Sequence, residues 1–271
     1  MELSKISIVI PIKSDTNNLV ELINNVKTYG FFDIHVVDSI EDEKNFTFCA
    51  KNNCSYTVFN WNGKFPKKRN WYLTTKELKE WVFFLDSDER INDKIVNEIM
   101  IIDDSNIDGI RFKYNNQFLG NVLRYGDVMT KIPLIRNHVR FEKVEEEYWS
   151  ILDMEVHEHP QVHKLRLYKA KSRIDHLERT TIERYIVKHN QYSNWEAARI
   201  RRDSRQIKSF RQRLKYFLLI KSYGHYVYFV YAYIIRLGFM DGQNGLILAR
   251  MKSHYFYTIY LKLLENEIER N

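Results

Sequence analysis

Trp81-Val82-Phe83-Phe84-Leu85-Asp86-Ser87-Asp88-Glu89-Arg90 is the stretch on which the reading of this chain turns. Five consecutive apolar residues mark a strand buried on both faces, as in the middle of a parallel sheet. The run then ends in two carboxylates spaced i, i+2. In open α/β sheets, ligands sit outside the carboxyl ends of the strands. Residues i and i+2 of an extended chain point the same way, so Asp86 and Asp88 are expected to share one target. Two hard oxygen ligands beside a phosphate-bearing substrate suit Mg²⁺ or Mn²⁺. The bland alternative is a solvated acidic turn between a strand and a helix.

Working outward, Ile6–Ile12 reads as a first strand. A helix follows, with Asn17 or Asn18 as its cap, apolar residues at 3- and 4-residue spacing, and Gly30 at its end. Residues 33–38 form a second strand that also finishes in a carboxylate, Asp38. A short helix over 45–51, a strand over 56–59, a helix over 67–79 and the strand at 81–86 complete a β-α-β-α-β-α-β series. That order implies an α/β domain with a mostly parallel sheet. Asn92 caps a helix over 93–102, and 109–114 is a strand. From about 115 shorter strand-like pieces appear (131–136, 138–142, 164–169). Thr180-Thr181-Ile182-Glu183 is a capping-box signature, and all that follows reads as helix.

Composition sets the bounds. The 271 residues are 44% hydrophobic and 28% charged, an ordinary globular balance, and four prolines with nine glycines leave little room for long linkers. Cys49 and Cys54 read as free thiols of a reducing compartment. The start, MELSKISIVIPI, runs directly into a strand pattern rather than a secretory signal. A cytoplasmic protein is therefore expected. The net charge of +7 is concentrated: between Arg199 and Lys221 there are nine basic residues against one acid, Asp203.

With these pieces in place the chain resembles the family 2 glycosyltransferases of the GT-A fold, in particular the branch that builds the lipopolysaccharide inner core and related bacterial surface glycans. The resemblance rests on Ile8-Val9-Ile10-Pro11, Val36-Val37-Asp38-Ser39, Lys68-Arg69-Asn70, Leu85-Asp86-Ser87-Asp88-Glu89-Arg90, Phe118-Leu119-Gly120, Val156-His157-Glu158 and Leu237-Gly238-Phe239-Met240-Asp241-Gly242. It implies a nucleotide-sugar-binding half over 1–114, an acceptor-binding half over 115–180, and a basic, tyrosine-rich helical extension over 181–271. The chain departs from the family at Ile12-Lys13-Ser14-Asp15, at Asp38-Ser39-Ile40-Glu41-Asp42-Glu43 and at Pro133, where many relatives carry an arginine.

The resemblance also implies roles. Asp38 accepts from the uracil N–H, or else merely caps a turn. Lys68 and Arg69 lie near base and phosphates; cations at a helix start oppose the helix dipole, which hints at a compensating anion. Pro11, Ile12, Asp15 and Ser87 join the nucleotide-sugar contacts, Asp86 meets the ribose, and Asp86 and Asp88 with His176 form the metal set. Glu158 takes the acceptor proton in an inverting transfer from a UDP-hexose, glucose being the first guess. Glu155 is the alternative base, and His176 is otherwise a packed histidine. His157, His159 and His163 have no partner cysteine nearby, which argues against a zinc site.

Two other classes compete. A nucleotidyltransferase of similar fold usually carries a glycine-rich loop after the first strand, and Lys13-Ser14-Asp15-Thr16-Asn17 has no glycine. A basic nucleic-acid-binding module would leave the Asp-x-Asp strand unexplained, so no nucleic acid is expected as a partner. The basic segment, followed by a region holding half of the eighteen tyrosines, suggests peripheral docking on an anionic membrane surface, where a lipid-linked saccharide acceptor would be presented. A helical lid with solvated arginines is the plainer alternative.

Overall fold

The computed structural model describes residues 1–60, 67–126, 128–141, 160–161, 165–177, 181–203 and 217–268. The chain divides into two compact units, Met1–Tyr114 with Met129–Leu177, and Asn115–Val128 with Glu178–Asn271.

In chain order the first 177 residues supply β1 (Ile6–Ile12), α1 (Thr16–Thr28), β2 (Ile34–Asp38), α2 (Glu43–Lys51), β3 (Ser55–Val58), α3 (Lys68–Thr75), β4 (Trp81–Phe84), β5 (Glu89–Arg90), α4 (Asp93–Ile101), β6 (Gly109–Phe118), β7 (Asn121–Leu123), β8 (Thr130–Arg136) and β9 (Leu167–His176). The sheet runs β3-β2-β1-β4-β8-β6-β9-β5. β3, β2, β1 and β4 are parallel neighbours, so their carboxyl ends share one edge. Beyond β4 the pairing is antiparallel, from β8 onto β4 and β6 and from β5 onto β9. The chain thus forms the expected α/β sheet, parallel over β3-β2-β1-β4 and antiparallel beyond.

Both faces of the parallel half are covered, which is why β1 and β4 are buried throughout and apolar but for Ser7, whose hydroxyl donates to Asp33. Ile6, Ile8, Ile10, Trp81 and Phe83 pack with Leu19, Leu22, Ile95 and Ile99 of α1 and α4. Val9, Val82 and Phe84 face the other way, onto Tyr72 and Leu73 of α3. Asn92 caps α4 as expected, its side chain accepting from the Ile95 amide.

Three local expectations are corrected. The cap of α1 is Asp15 rather than Asn17 or Asn18, and its carboxylate makes no cap bond because it is used elsewhere. α3 stops at Thr75 instead of 79: the hydroxyls of Thr74 and Thr75 fold back onto the Trp71 carbonyl, and Lys76 is already extended. No strand forms at 138–141, where the Val139 amide closes a turn on the Arg136 carbonyl and Phe141 makes one isolated bridge to Pro160.

The second unit opens with a hairpin in which β6 residues 116–118 pair with β7. Its two-residue turn, Leu119-Gly120, has positive φ at both positions, the backbone a tight hairpin demands. Among the described residues the helices that follow include α5 (Ile182–Asp203), α6 (Gly224–Val230), which continues as a π-turn over Tyr231–Ile235, and α7 (Gly242–Ile268). The Thr181 hydroxyl accepts from the Arg184 amide and starts α5. Ala197, Ile200, Leu219, Ile259 and Leu263 form this unit's core. Gly245 permits a close approach, since a Cβ there would lie 2.0 Å from the Gly238 carbonyl oxygen. No helix among the described residues is long and apolar enough to cross a membrane.

Candidate active site

Three strand ends meet at the carboxyl edge of the parallel strands. β2 ends in Asp38, whose carboxylate is fully buried. One oxygen accepts from the amides of Ser14 and Ile40, both at 3.1 Å. The other accepts from Asn45 Nδ2 at 3.1 Å and the Tyr56 hydroxyl at 3.2 Å. Four donors from the chain itself therefore fill its lone pairs. The geometry matches the turn-fixing alternative, and it leaves no oxygen open to a base.

β4 ends in a tight turn. The Glu89 amide donates to the Asp86 carbonyl at 2.9 Å, and the Asp86 amide donates back to Glu89 Oε2 at 3.1 Å. This turn overrides the extended geometry that would aim Asp86 and Asp88 at one point. Asp86 accepts from Arg69 Nη2 at 2.9 Å on one oxygen and from Lys131 Nζ at 2.7 Å on the other. Asp88 instead lies 3.4 Å from Nε2 of His176, the last residue of β9. Metal ligation by Asp86 is thus disfavoured here: both its oxygens are held by cations. Among the described residues no group of three or more metal-ligating side chains assembles.

Lys131 on β8 ties the turn together. Its ammonium also sits 2.7 Å from Glu89 Oε1 and 5.2 Å from the centre of the Tyr114 ring. Burial and then the Asp86 charge push the Glu89 carboxyl up to about 7, against the pull of Lys131. Burial alone would also raise Asp86, but Lys131 and Arg69 hold it well below the usual carboxylate range. Burial lowers Lys131, yet Glu89 and Asp86 more than offset that and raise it. For His176 burial is likewise outweighed, by Asp88 and then Glu89, so the ring gains affinity for its proton. Tyr114 is raised well above its ordinary value by burial and by the carboxylates, and its hydroxyl has no partner among the described residues.

The remaining expected residues brace this turn. Ser87 Oγ donates to Asp15 at 2.7 Å, tying the β4 turn to the loop after β1. Arg69, from the first turn of α3, also lies over the rings of Phe84 and Phe141. Lys68 is buried and donates to the Ile12 carbonyl at 2.8 Å. Pro11 and Ile12 are buried in β1, opposite Val37 and Asp38, so a ligand could meet them only through backbone. Glu158 and Glu155, with His157, His159 and His163, lie outside the described residues. Lys131 is the member of this cluster that sequence reading missed. A lysine on the strand that carries Leu134 and Ile135 was the available signal, because such a charge needs a partner.

No protein-family model matches the chain, and no curated protein matches it. Among solved structures it is similar to TarS of S. aureus, with a TM-score of 0.43 and 16% identity, over 94% of this chain and 55% of that one. The chain thus spans about half the length of that structure. TarS 1-349 in complex with UDP-GlcNAc gives a TM-score of 0.41 and 15% identity, over 97% of this chain and 92% of that one. A cytidylyltransferase from Leptospira borgpetersenii serovar Hardjo-bovis gives 0.40 and 14%, over 70% and 85%.

Proposed function

We propose that the protein is a GT-A glycosyltransferase that moves a hexose from a UDP-sugar to a saccharide acceptor of a bacterial surface glycan, lipopolysaccharide or capsule. One observation carries this reading: the Asp86-Ser87-Asp88-Glu89 turn lies at the carboxyl edge of the parallel strands among Arg69, Lys131 and His176. A partly open carboxylate suits ribose hydroxyls, and a cluster of cations suits a diphosphate that gains charge as it leaves.

In this reading Asp86, pinned by Arg69 and Lys131, accepts from the ribose. Asp88 and His176 fit a divalent cation, because such ions take one or two protein ligands and complete their shell with phosphate and water. Mn²⁺ or Mg²⁺ held there supplies charge neutralisation for the leaving diphosphate. Asp15 and Ser87 keep the two loops in register, while Asp38 and Lys68 set the loop backbone from beneath. Inversion requires the acceptor oxygen to form its bond to the anomeric carbon as the bond to UDP breaks. The acceptor proton then passes to a carboxylate, which the resemblance assigns to Glu158.

The test is UDP release from a panel of UDP-hexoses, UDP-glucose first, with and without Mn²⁺. Transfer should fall by a factor on the order of 10²–10⁴ in Glu158→Gln, with nucleotide affinity little changed. Pyrophosphate release from a nucleoside triphosphate and a sugar phosphate, with no UDP released from any donor, would reassign the protein to the nucleotidyltransferases.

A further inference from the structure

The second unit carries a surface that the proposed reaction does not use. Of the twenty-five exposed large apolar side chains described, twelve lie between Phe217 and Met240, so exposure here is concentrated. Residues 224–235 form one helical run, α6 plus its π-turn. Its inner side holds Gly224 and Ala232, both buried, and Tyr228, whose ring lies 4.2 Å from that of Phe256 on α7. Its outer side is also apolar: Tyr226 is 66% exposed, Ile234 54% and Ile235 65%, with Val227, Val230 and Tyr231 between them. Between Lys221 and Arg236 no residue is Lys, Arg, Asp or Glu. A helix with two apolar sides is expected to be covered on both.

The charges around this run identify the cover. Lys221 stands just before it and Arg236 just after it, so the apolar ridge has a cation at each end. From Arg199 to Leu264 the sequence holds thirteen basic residues and two acidic ones, Asp203 and Asp241. Asp241 is taken up by the amides of Arg124 and Tyr125. A run of twelve residues is about 18 Å long, too short to span a bilayer. Lying flat, it would put its apolar side among acyl chains and both terminal cations at headgroup level. Tyrosines on such a ridge suit the same boundary. A second copy of the chain would bring the same positive field against itself, whereas an anionic leaflet is complementary.

We propose that the outer side of residues 224–235, flanked by Lys221 and Arg236, docks in the plane of an anionic lipid surface. The inference does not depend on the reaction assigned above. The test is co-sedimentation of the full chain with vesicles of phosphatidylcholine alone or with about a third phosphatidylglycerol, at low and high salt. Binding is expected to the anionic vesicles at low salt and to weaken as salt rises. In Ile234→Asp/Ile235→Asp the bound fraction should fall about ten-fold, with far-UV circular dichroism and gel-filtration volume unchanged. Tyr226→Glu, about two turns away along the same run, is the second variant, should the first fail to fold. Absence of binding at low salt, or binding indifferent to phosphatidylglycerol, overturns the proposal. So does a dimer that the same substitutions dissolve while vesicle binding persists, because a second copy would then own the face.

Discussion

Asp38 and Asp86 stand at the ends of β2 and β4, the two parallel neighbours of β1, and on paper they look alike. Asp38 is completely enclosed and held by two amides, an amide side chain and a phenol, all neutral. Asp86 is partly open and held by two cations. Neutral donors from the surrounding loops fix a shape and leave no acceptor to spare. Cations around an open carboxylate instead build a charged surface on which a polar, anionic ligand can be placed. Both turns are tied to the loop after β1, the first through the Ser14 amide on Asp38 and the second through the Ser87–Asp15 bond.

The strongest way to break this contrast is to remove the cation that holds the β4 turn. In Lys131→Ala the almost wholly buried Glu89 loses its charged partner, and Asp86 keeps only Arg69. Removing one member of a buried pair typically costs 3–5 kcal/mol; with Lys131 a third exposed, about 3 kcal/mol is expected in urea denaturation. UDP release should be lost as well. Lys131→Arg should restore part of the stability and less of the turnover, because the planar fork does not reproduce a point ammonium. If Lys131→Ala is as stable and as active as the parent, the charged turn has no structural or catalytic weight.

Asp38→Asn tests the other half. It sets an amide NH₂ against at least one existing donor, so a loss of about 1–3 kcal/mol is expected, with the Michaelis constant for the donor nearly unchanged. An unchanged melting curve together with weakened donor binding would make Asp38 a base-reading residue and erase the distinction.

How much of this was visible beforehand follows from the range of the interactions. The alternation of strands and helices and the cap at Asn92 are local patterns and read correctly, whereas the strand read over 81–86 stops at Phe84, ahead of the turn that Asp86 and Glu89 close. Lys131 lies 45 positions from Asp86; it reaches the turn because β8 runs antiparallel beside β4, a pairing no local period encodes. Likewise the i, i+2 rule failed at Asp86 and Asp88 because the chain turns there, with Glu89 bonding both ways to Asp86. The stretch 115–128 read as part of the acceptor half, yet it groups with the C-terminal helices through contacts such as Asp241 to Tyr125.

Glu98 sharpens the comparison with the smallest effect, being a buried carboxylate held, like Asp38, by neutral donors. On α4 it accepts from the Lys171 amide and the Tyr168 hydroxyl on one oxygen and from the Ser172 amide on the other, so it pins β9 to the helix. Burial raises its carboxyl, but Ser172 first, then Lys171 and Tyr168, outweigh that and leave it titrating below its ordinary value of 4.5. A folded-state value below the unfolded one means the carboxylate's stabilisation is complete above about 4.5 and fades as pH falls through the folded value. Glu98→Gln keeps an acceptor for the first oxygen's partners but turns a donor toward the Ser172 amide, at a cost of about 1 kcal/mol. The stability gap between parent and variant, followed by urea denaturation from pH 7 downward, should stay constant to about pH 5 and then narrow. A gap that does not change between pH 7 and pH 3 would mean the ionised carboxylate is not what these donors hold. The neutral-donor reading of Asp38 would then lose its control.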